Sequence, residues 1–123
     1  MRVLVVDDSS TMRRIIANTL KKLGHDEIVE AADGVEALQV VEAGKPDLIL
    51  TDWNMPKMDG REFVQALRKQ PEMQLVPVLM VTTQAEKPDV ALALEAGVND
   101  YVVKPFTPEA LKEKIADVLS KAA

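Results

Sequence analysis

The sequence predicts one α/β domain, a parallel five-stranded sheet with helices on both faces. Three observations predict it. Short apolar runs alternate with stretches of helical periodicity along the whole chain. Those runs are almost uninterrupted, whereas strands with one wet face would alternate apolar and polar residues. And 123 residues, 47% of them hydrophobic and 28% charged, suffice for a single core without metal or disulfide staples.

Local signals justify each element. Val3-Leu4-Val5-Val6 is the first strand and runs straight into Asp7-Asp8. Ser9-Ser10 offers a helix cap, after which Met12, Ile15, Ile16, Leu20 and Leu23 recur at helical spacing as far as Gly24. Arg13, Arg14, Lys21 and Lys22 fall largely on the other side and read as a solvated face. Residues 27–31 form a weaker strand. Asp33-Gly34 opens a second helix with Val35, Leu38 and Val41 inward, closed by Gly44. The third strand, residues 48–51, lies in an apolar run bounded by Pro46 and Pro56. Asp59-Gly60 starts a third helix carrying Phe63 and Leu67 and ended by Pro71. Residues 77–81 are the fourth strand, and a helix from about 88 to 96 is stopped by Gly97. Tyr101-Val102-Val103 is the fifth strand. Thr107-Pro108-Glu109 then supplies a cap, a proline at the first helical position and an acidic first turn to a helix with Leu111, Ile115, Val118 and Leu119 inward.

Composition excludes whole classes of function. With no cysteine there is no disulfide, thiolate zinc site, iron–sulfur cluster or cysteine nucleophile. A net charge of −5 argues against nucleic acid as the primary partner, because phosphate binding needs clustered Lys and Arg. The first apolar run is too short for a signal peptide, and no stretch approaches membrane-spanning length. A cytoplasmic protein acting as a monomer, with no membrane partner, is expected. The one histidine, His25, reads as a loop residue between the first helix and the second strand.

The chemistry lies at the carboxyl ends of the strands. The first ends in Asp7-Asp8, the third in Asp52, the fourth in Thr82-Thr83 and the fifth in Lys104-Pro105. Parallel strands put these ends at one edge, which is where such sheets bind ligands. Taken singly, an Asp pair after a strand is an ordinary capping turn, and a Thr or Lys there is ordinarily structural. Together they gather three carboxylates, a hydroxyl and one ammonium from most of the chain's length. The carboxylates repel one another and outnumber what Lys104 neutralises, so a hard cation is implied; Mg²⁺, at roughly 2.1 Å from oxygen ligands, fits best. Thr82 and Lys104 suit the oxygens of a phosphoryl group. Asp52 then reads as a nucleophile able to form an aspartyl-phosphate. Trp53 reads as cover for the loop, and Met55 and Met58 as packing beside the site.

Here the chain resembles the receiver domain of two-component response regulators, and among them the single-domain CheY-like chemotaxis regulators. The resemblance rests on Val5-Val6-Asp7-Asp8, Ser10-Thr11-Met12-Arg13-Arg14, Asp52-Trp53-Asn54-Met55-Pro56, Met58-Asp59-Gly60, Val81-Thr82 and residues 101–106, and covers residues 1–123 as one receiver domain. It implies a flavodoxin-like (βα)5 doubly wound fold with strand order 2-1-3-4-5. It implies that Asp52 accepts a phosphoryl group from the phosphohistidine of a histidine kinase. Asp7, Asp8, Asp52 and the backbone carbonyl of Asn54 would hold Mg²⁺. Lys104 would pair with the phosphoryl group, before a cis peptide at Pro105. Thr82 and Tyr101 would form the switch, and a face including Val90, Tyr101, Phe106 and Lys114 would meet a partner, the flagellar motor switch or another target. Three departures bear on output: Thr83 replaces the usual small residue, Gln84 stands in place of an acid, and Glu86-Lys87 breaks a basic pair.

Two other functions are weighed against a switch. A flavin-binding electron carrier would need a hydroxyl- and glycine-rich loop where Asp7-Asp8-Ser9-Ser10 stands. An aspartate-based phosphohydrolase of the haloacid-dehalogenase kind wants a second acid two residues after its nucleophile, where this chain has Asn54. A stand-alone receiver that drains or relays phosphoryl groups remains open beside the motor-directed one.

Overall fold

The computed structural model of the protein describes residues 1–83 and 90–122. Five strands form one sheet: β1 (Arg2–Val6), β2 (Glu27–Ala31), β3 (Leu48–Thr51), β4 (Val78–Thr83) and β5 (Asp100–Lys104). All neighbours are parallel and the order is β2-β1-β3-β4-β5, as the resemblance implied. The helices are α1 (Ser10–Lys22), α2 (Gly34–Ala43), α3 (Gly60–Arg68), α4, described over Val90–Ala96, and α5 (Pro108–Ala122). Gln84, Glu86, Lys87 and the first residues of the helix expected from about 88 lie outside the described residues.

Alternation along the buried strands builds two cores. Leu4, Val6, Ile49, Val78 and Met80 pack with Ala37 and Val41 of α2, Phe63, Val64 and Leu67 of α3, and Ala93 of α4. Val3, Val5, Leu48, Leu50, Leu79, Val81 and Val102 pack with Ile16 and Leu20 of α1 and Leu111, Ile115 and Val118 of α5. Successive side chains of a strand face opposite ways, so a strand wet on neither face must be apolar throughout. That is why β1, β3 and β4 read as unbroken apolar runs.

The helices begin where capping residues allow. The Ser9 side chain accepts from the Met12 N–H, and that of Asp33 from Glu36 N–H. Asp59 and Glu62 form a reciprocal capping box at the start of α3. Three helical expectations are corrected. Val35 is 41% exposed, because the buried stripe of α2 runs through Gly34, Ala37 and Val41 and the next residue after Gly34 is turned about 100° away. Ile15 is likewise exposed beside the buried Ile16. Pro71 does not directly end α3, which closes at Arg68; it opens a single 3-10 turn, Pro71–Met73, that tucks Met73 into the core. No described helix is long and apolar enough to cross a membrane.

Candidate functional site

Register makes the site. Val6 pairs with Thr51, so Asp7 and Asp52 leave adjacent strands at the same level. The ladder continues one step beyond: Asp52 N–H donates to the Val6 carbonyl at 2.8 Å and Asp7 N–H to the Ala31 carbonyl at 3.1 Å. Both carboxylates are buried, with Asp8 exposed beside them. One oxygen from each of Asp7, Asp8 and Asp52 lies within 4.8 Å of the others. Lys104, at the end of edge strand β5, reaches across β4 and sets its Nζ 3.3 Å from Asp7 Oδ2 and 3.6 Å from Asp52 Oδ1. Asp52 Oδ1 also accepts from Trp53 N–H at 2.8 Å, and Asp7 Oδ1 from Ser9 N–H at 2.9 Å.

Among the described residues three carboxylates face one ammonium, a formal negative excess. A divalent ion offsets such an excess where burial has removed water. These oxygens could hold a metal ion, and an all-oxygen donor set suits a hard cation such as Mg²⁺. Asn54 lies two residues beyond Asp52 in the turn leaving β3, with its side chain exposed.

The remaining expected residues spread from this edge toward α4 and α5. Thr82 is fully buried near the end of β4, and its Oγ1 donates to the Thr83 carbonyl at 3.3 Å. Thr82 pairs with Val103 and Met80 with Tyr101, so Tyr101 stands two residues, about 7 Å, back along β5 from Thr82's partner. Its ring is half-buried beneath Lys114 Nζ, 5.5 Å from the centroid. Lys114 also pairs with Asp100 at 3.4 Å. Val90 and Tyr101 pack on the α2–α3–α4 side of the sheet and Phe106 on the α1–α5 side, so the four expected face residues straddle the edge strand. The Lys104–Pro105 peptide is cis.

Sequence reasoning missed one support of the site and understated the burial of two further side chains. Arg13 is not simply solvated: its Nη1 donates to the Asp7 carbonyl at 2.6 Å and its Nε to Glu30 Oε1 at 3.2 Å, tying the acidic loop to β2. Trp53 is 6% exposed and belongs to the core. His25 is half-buried, lining a groove of about 180 Å³ with Leu23, Lys112, Ile115, Ala116 and Leu119. Arg13 sits at helical position four after Ser9, a spacing equally consistent with solvent. Only the approach of β2 decides between the two.

A parallel 2-1-3-4-5 sheet with acids and a lysine at its carboxyl edge defines a receiver. The model of the response regulator receiver domain matches residues 3–116, and the chain belongs to that family. Within it the chain is CheY-like. It is 54% identical over 97% of its length to the chemotaxis protein CheY homolog of Campylobacter jejuni, covering 92% of that protein. The chemotaxis response regulator CheY4 of Vibrio cholerae has a TM-score of 0.88 at 39% identity, covering 95% of this chain and 97% of that one. The receiver domain of the sensor histidine kinase PA1611 of Pseudomonas aeruginosa, a structure with a magnesium ion coordinated in the active-site cleft, gives 0.88 at 30% identity over 97% of each chain.

Proposed function

We propose that residues 1–123 act as one phosphorylation-controlled switch, with Asp52 the phosphoacceptor and no turnover of an external substrate. The observation that carries this is the Lys104 ammonium shared by Asp7 and Asp52 beside the exposed Asp8. In the reaction, an Asp52 carboxylate oxygen forms the new P–O bond as the P–N bond of a kinase phosphohistidine breaks. The imidazole nitrogen leaves with the bonding electrons. Asp7, Asp8, Asp52 and the Asn54 carbonyl would hold Mg²⁺, which when bound supplies counter-charge for the carboxylates and the incoming phosphoryl oxygens. Lys104 orients the phosphoryl group as a fixed positive charge. The Thr82 hydroxyl exchanges its present partner for a phosphoryl oxygen.

The new charge biases a pre-existing equilibrium between two packings. Movement at Thr82 opens space for Tyr101, which leaves its place beneath Lys114. The face built from α4, β5 and α5 changes its affinity for a partner. Val90, Tyr101, Phe106 and Lys114 belong to that face, and the exposed Leu94, one helical turn beyond Val90, extends its apolar part along α4. The names of the relatives favour chemotaxis, with a chemotaxis histidine kinase upstream and the flagellar motor switch downstream, in a cytoplasmic monomer.

Trp53 adjoins Asp52 and is the only tryptophan, so its fluorescence reports the site. Mg²⁺ and then acetyl phosphate should each change it in the wild-type protein; silence to both sinks the reading. Asp52→Asn should take no label from a phosphohistidine donor, and persistent labelling would put the acceptor elsewhere. Phosphorylated protein should capture a motor-switch component that the unphosphorylated form does not. Phosphorylation without any gain in capture would favour the phosphate-sink role.

A further inference from the structure

The loop of residues 53–59, between β3 and α3, carries Asn54 and is seated at two glycines. At Gly60 the seat is local: its N–H donates to the Trp53 carbonyl at 2.8 Å, and an added Cβ would fall 2.5 Å from the Asp52 carbonyl oxygen. The other seat comes from a different element. Gly34, the first residue of α2, donates its N–H to the Met58 carbonyl at 3.1 Å. A Cβ on Gly34 would lie 2.7 Å from Met58 Cγ, 2.8 Å from its carbonyl oxygen and 2.9 Å from its Cβ.

The chain between the seats has little slack. Lys57 takes φ of 64°, and the Met58 N–H returns to the Pro56 carbonyl at 2.7 Å, closing a three-residue turn. Lys57 Nζ lies 3.9 Å from Asp33 Oδ2, and Asp33 is the buried cap of α2. A methyl group at Gly34 must therefore displace backbone at Met58, because the carbonyl oxygen cannot swing aside as a flexible side-chain end could. With Gly60 fixed on Trp53, that displacement falls on residues 54–57.

We infer that Gly34 is a positioning residue for divalent-cation binding. The first turn of α2 holds the 53–59 loop so that the Asn54 carbonyl stands with Asp7, Asp8 and Asp52. This rests on the metal reading proposed above. Mg²⁺ demands near-ideal octahedral geometry, so a small shift of one ligand weakens binding steeply, and loss of an outer support costs about 10–100-fold in metal affinity.

The test is a Mg²⁺ titration of the full chain followed by Trp53 fluorescence, at a temperature where circular dichroism shows each variant folded. Gly34→Ala should raise the dissociation constant about tenfold or more. Adding Met58→Gly, which removes two of the three clashing atoms, should recover part of the loss. Val41→Ala, buried further along the same helix, lowers stability without touching the seat and should leave the constant within about twofold. Should Gly34→Ala fail to fold, amide exchange in the wild-type chain decides. Because coupling is reciprocal, Mg²⁺ should slow exchange at the Gly34 N–H with the same saturation as the fluorescence. Wild-type affinity in Gly34→Ala, an equal loss in Val41→Ala, or Gly34 exchange indifferent to a Mg²⁺ level that saturates Trp53 overturns the inference. A wild-type protein blind to Mg²⁺ overturns the metal reading itself, a separate and recognisable result.

Discussion

Lys104 neutralises the same carboxylates that a bound cation would, so the two would compete for that charge. Its side chain is largely buried between Asp7 and Asp52, and truncating one member of a buried ion pair leaves charge uncompensated. Lys104→Met should therefore cost about 3 kcal/mol in chelator. Mg²⁺ should return more stability to this variant than it adds to the wild type, because it takes over the neutralisation. Urea melts with and without Mg²⁺ measure both, and equal gains in the two proteins would refute the competition. Lys57 carries a different burden. Its φ of 64° is a left-handed conformation that Cβ disfavours, and its ion pair with Asp33 is mostly exposed and contributes little. Lys57→Gly should raise stability by about 1 kcal/mol in the same melts. A loss would mean that the Asp33 contact outweighs the backbone strain.

At the scale of elements, the C-terminal end of α3 pins the far end of α4. Arg68 donates through Nε at 3.2 Å and Nη2 at 2.9 Å to the Gly97 carbonyl, through Nη2 to Asn99 Oδ1 at 3.2 Å, and through Nη1 to the Met73 carbonyl at 2.5 Å. Asn99 Oδ1 in turn accepts from Val78 N–H, so one guanidinium joins α3, the 3-10 turn, the α4–β5 connection and the start of β4. Burial lowers its pKa below the ordinary arginine value, yet the group stays charged at any working pH. Gly97, at φ of 119°, leaves the space that the Arg68 stem fills. Arg68→Ala should cost roughly 2–3 kcal/mol, and Arg68→Lys should recover less than half, since a single ammonium cannot span three acceptors that lie on two segments. Thermal melts of the pair decide; full rescue by lysine would show that charge alone matters there.

For the molecule as a whole, the acidic site and the proposed output face share the sheet but not its surface. Asp52 is reached from the carboxyl edge, whereas Leu94 lies exposed on α4. Leu94→Asp should leave phosphorylation by acetyl phosphate unchanged and alter stability by no more than about 1 kcal/mol, because its side chain is not buried. Phosphorylation-dependent capture of the partner should be lost. Capture that survives would move the output face elsewhere.

Much of this was legible in the sequence. Unbroken apolar runs required a sheet covered on both faces, and caps such as Ser9, Asp33 and Asp59 marked helix starts, because these signals are local. A parallel sheet then sent Asp7, Asp8, Asp52, Thr82 and Lys104 to one edge without any knowledge of distances. Helix faces were less secure. Val35 and Ile15 each neighbour a buried residue, and one residue of rotation exchanges core for solvent. What periodicity cannot carry is contact between elements distant in the chain. That Arg13 grips the Asp7 carbonyl, that Arg68 gathers acceptors from two segments, and that Gly34 seats Met58 depended on which helix came to lie against which loop. The residues and their order determined a parallel sheet with an acidic edge. Only packing decided how tightly that edge is held, since the positions of α2 and β2 against the site are set by long-range burial and no local pattern encodes them.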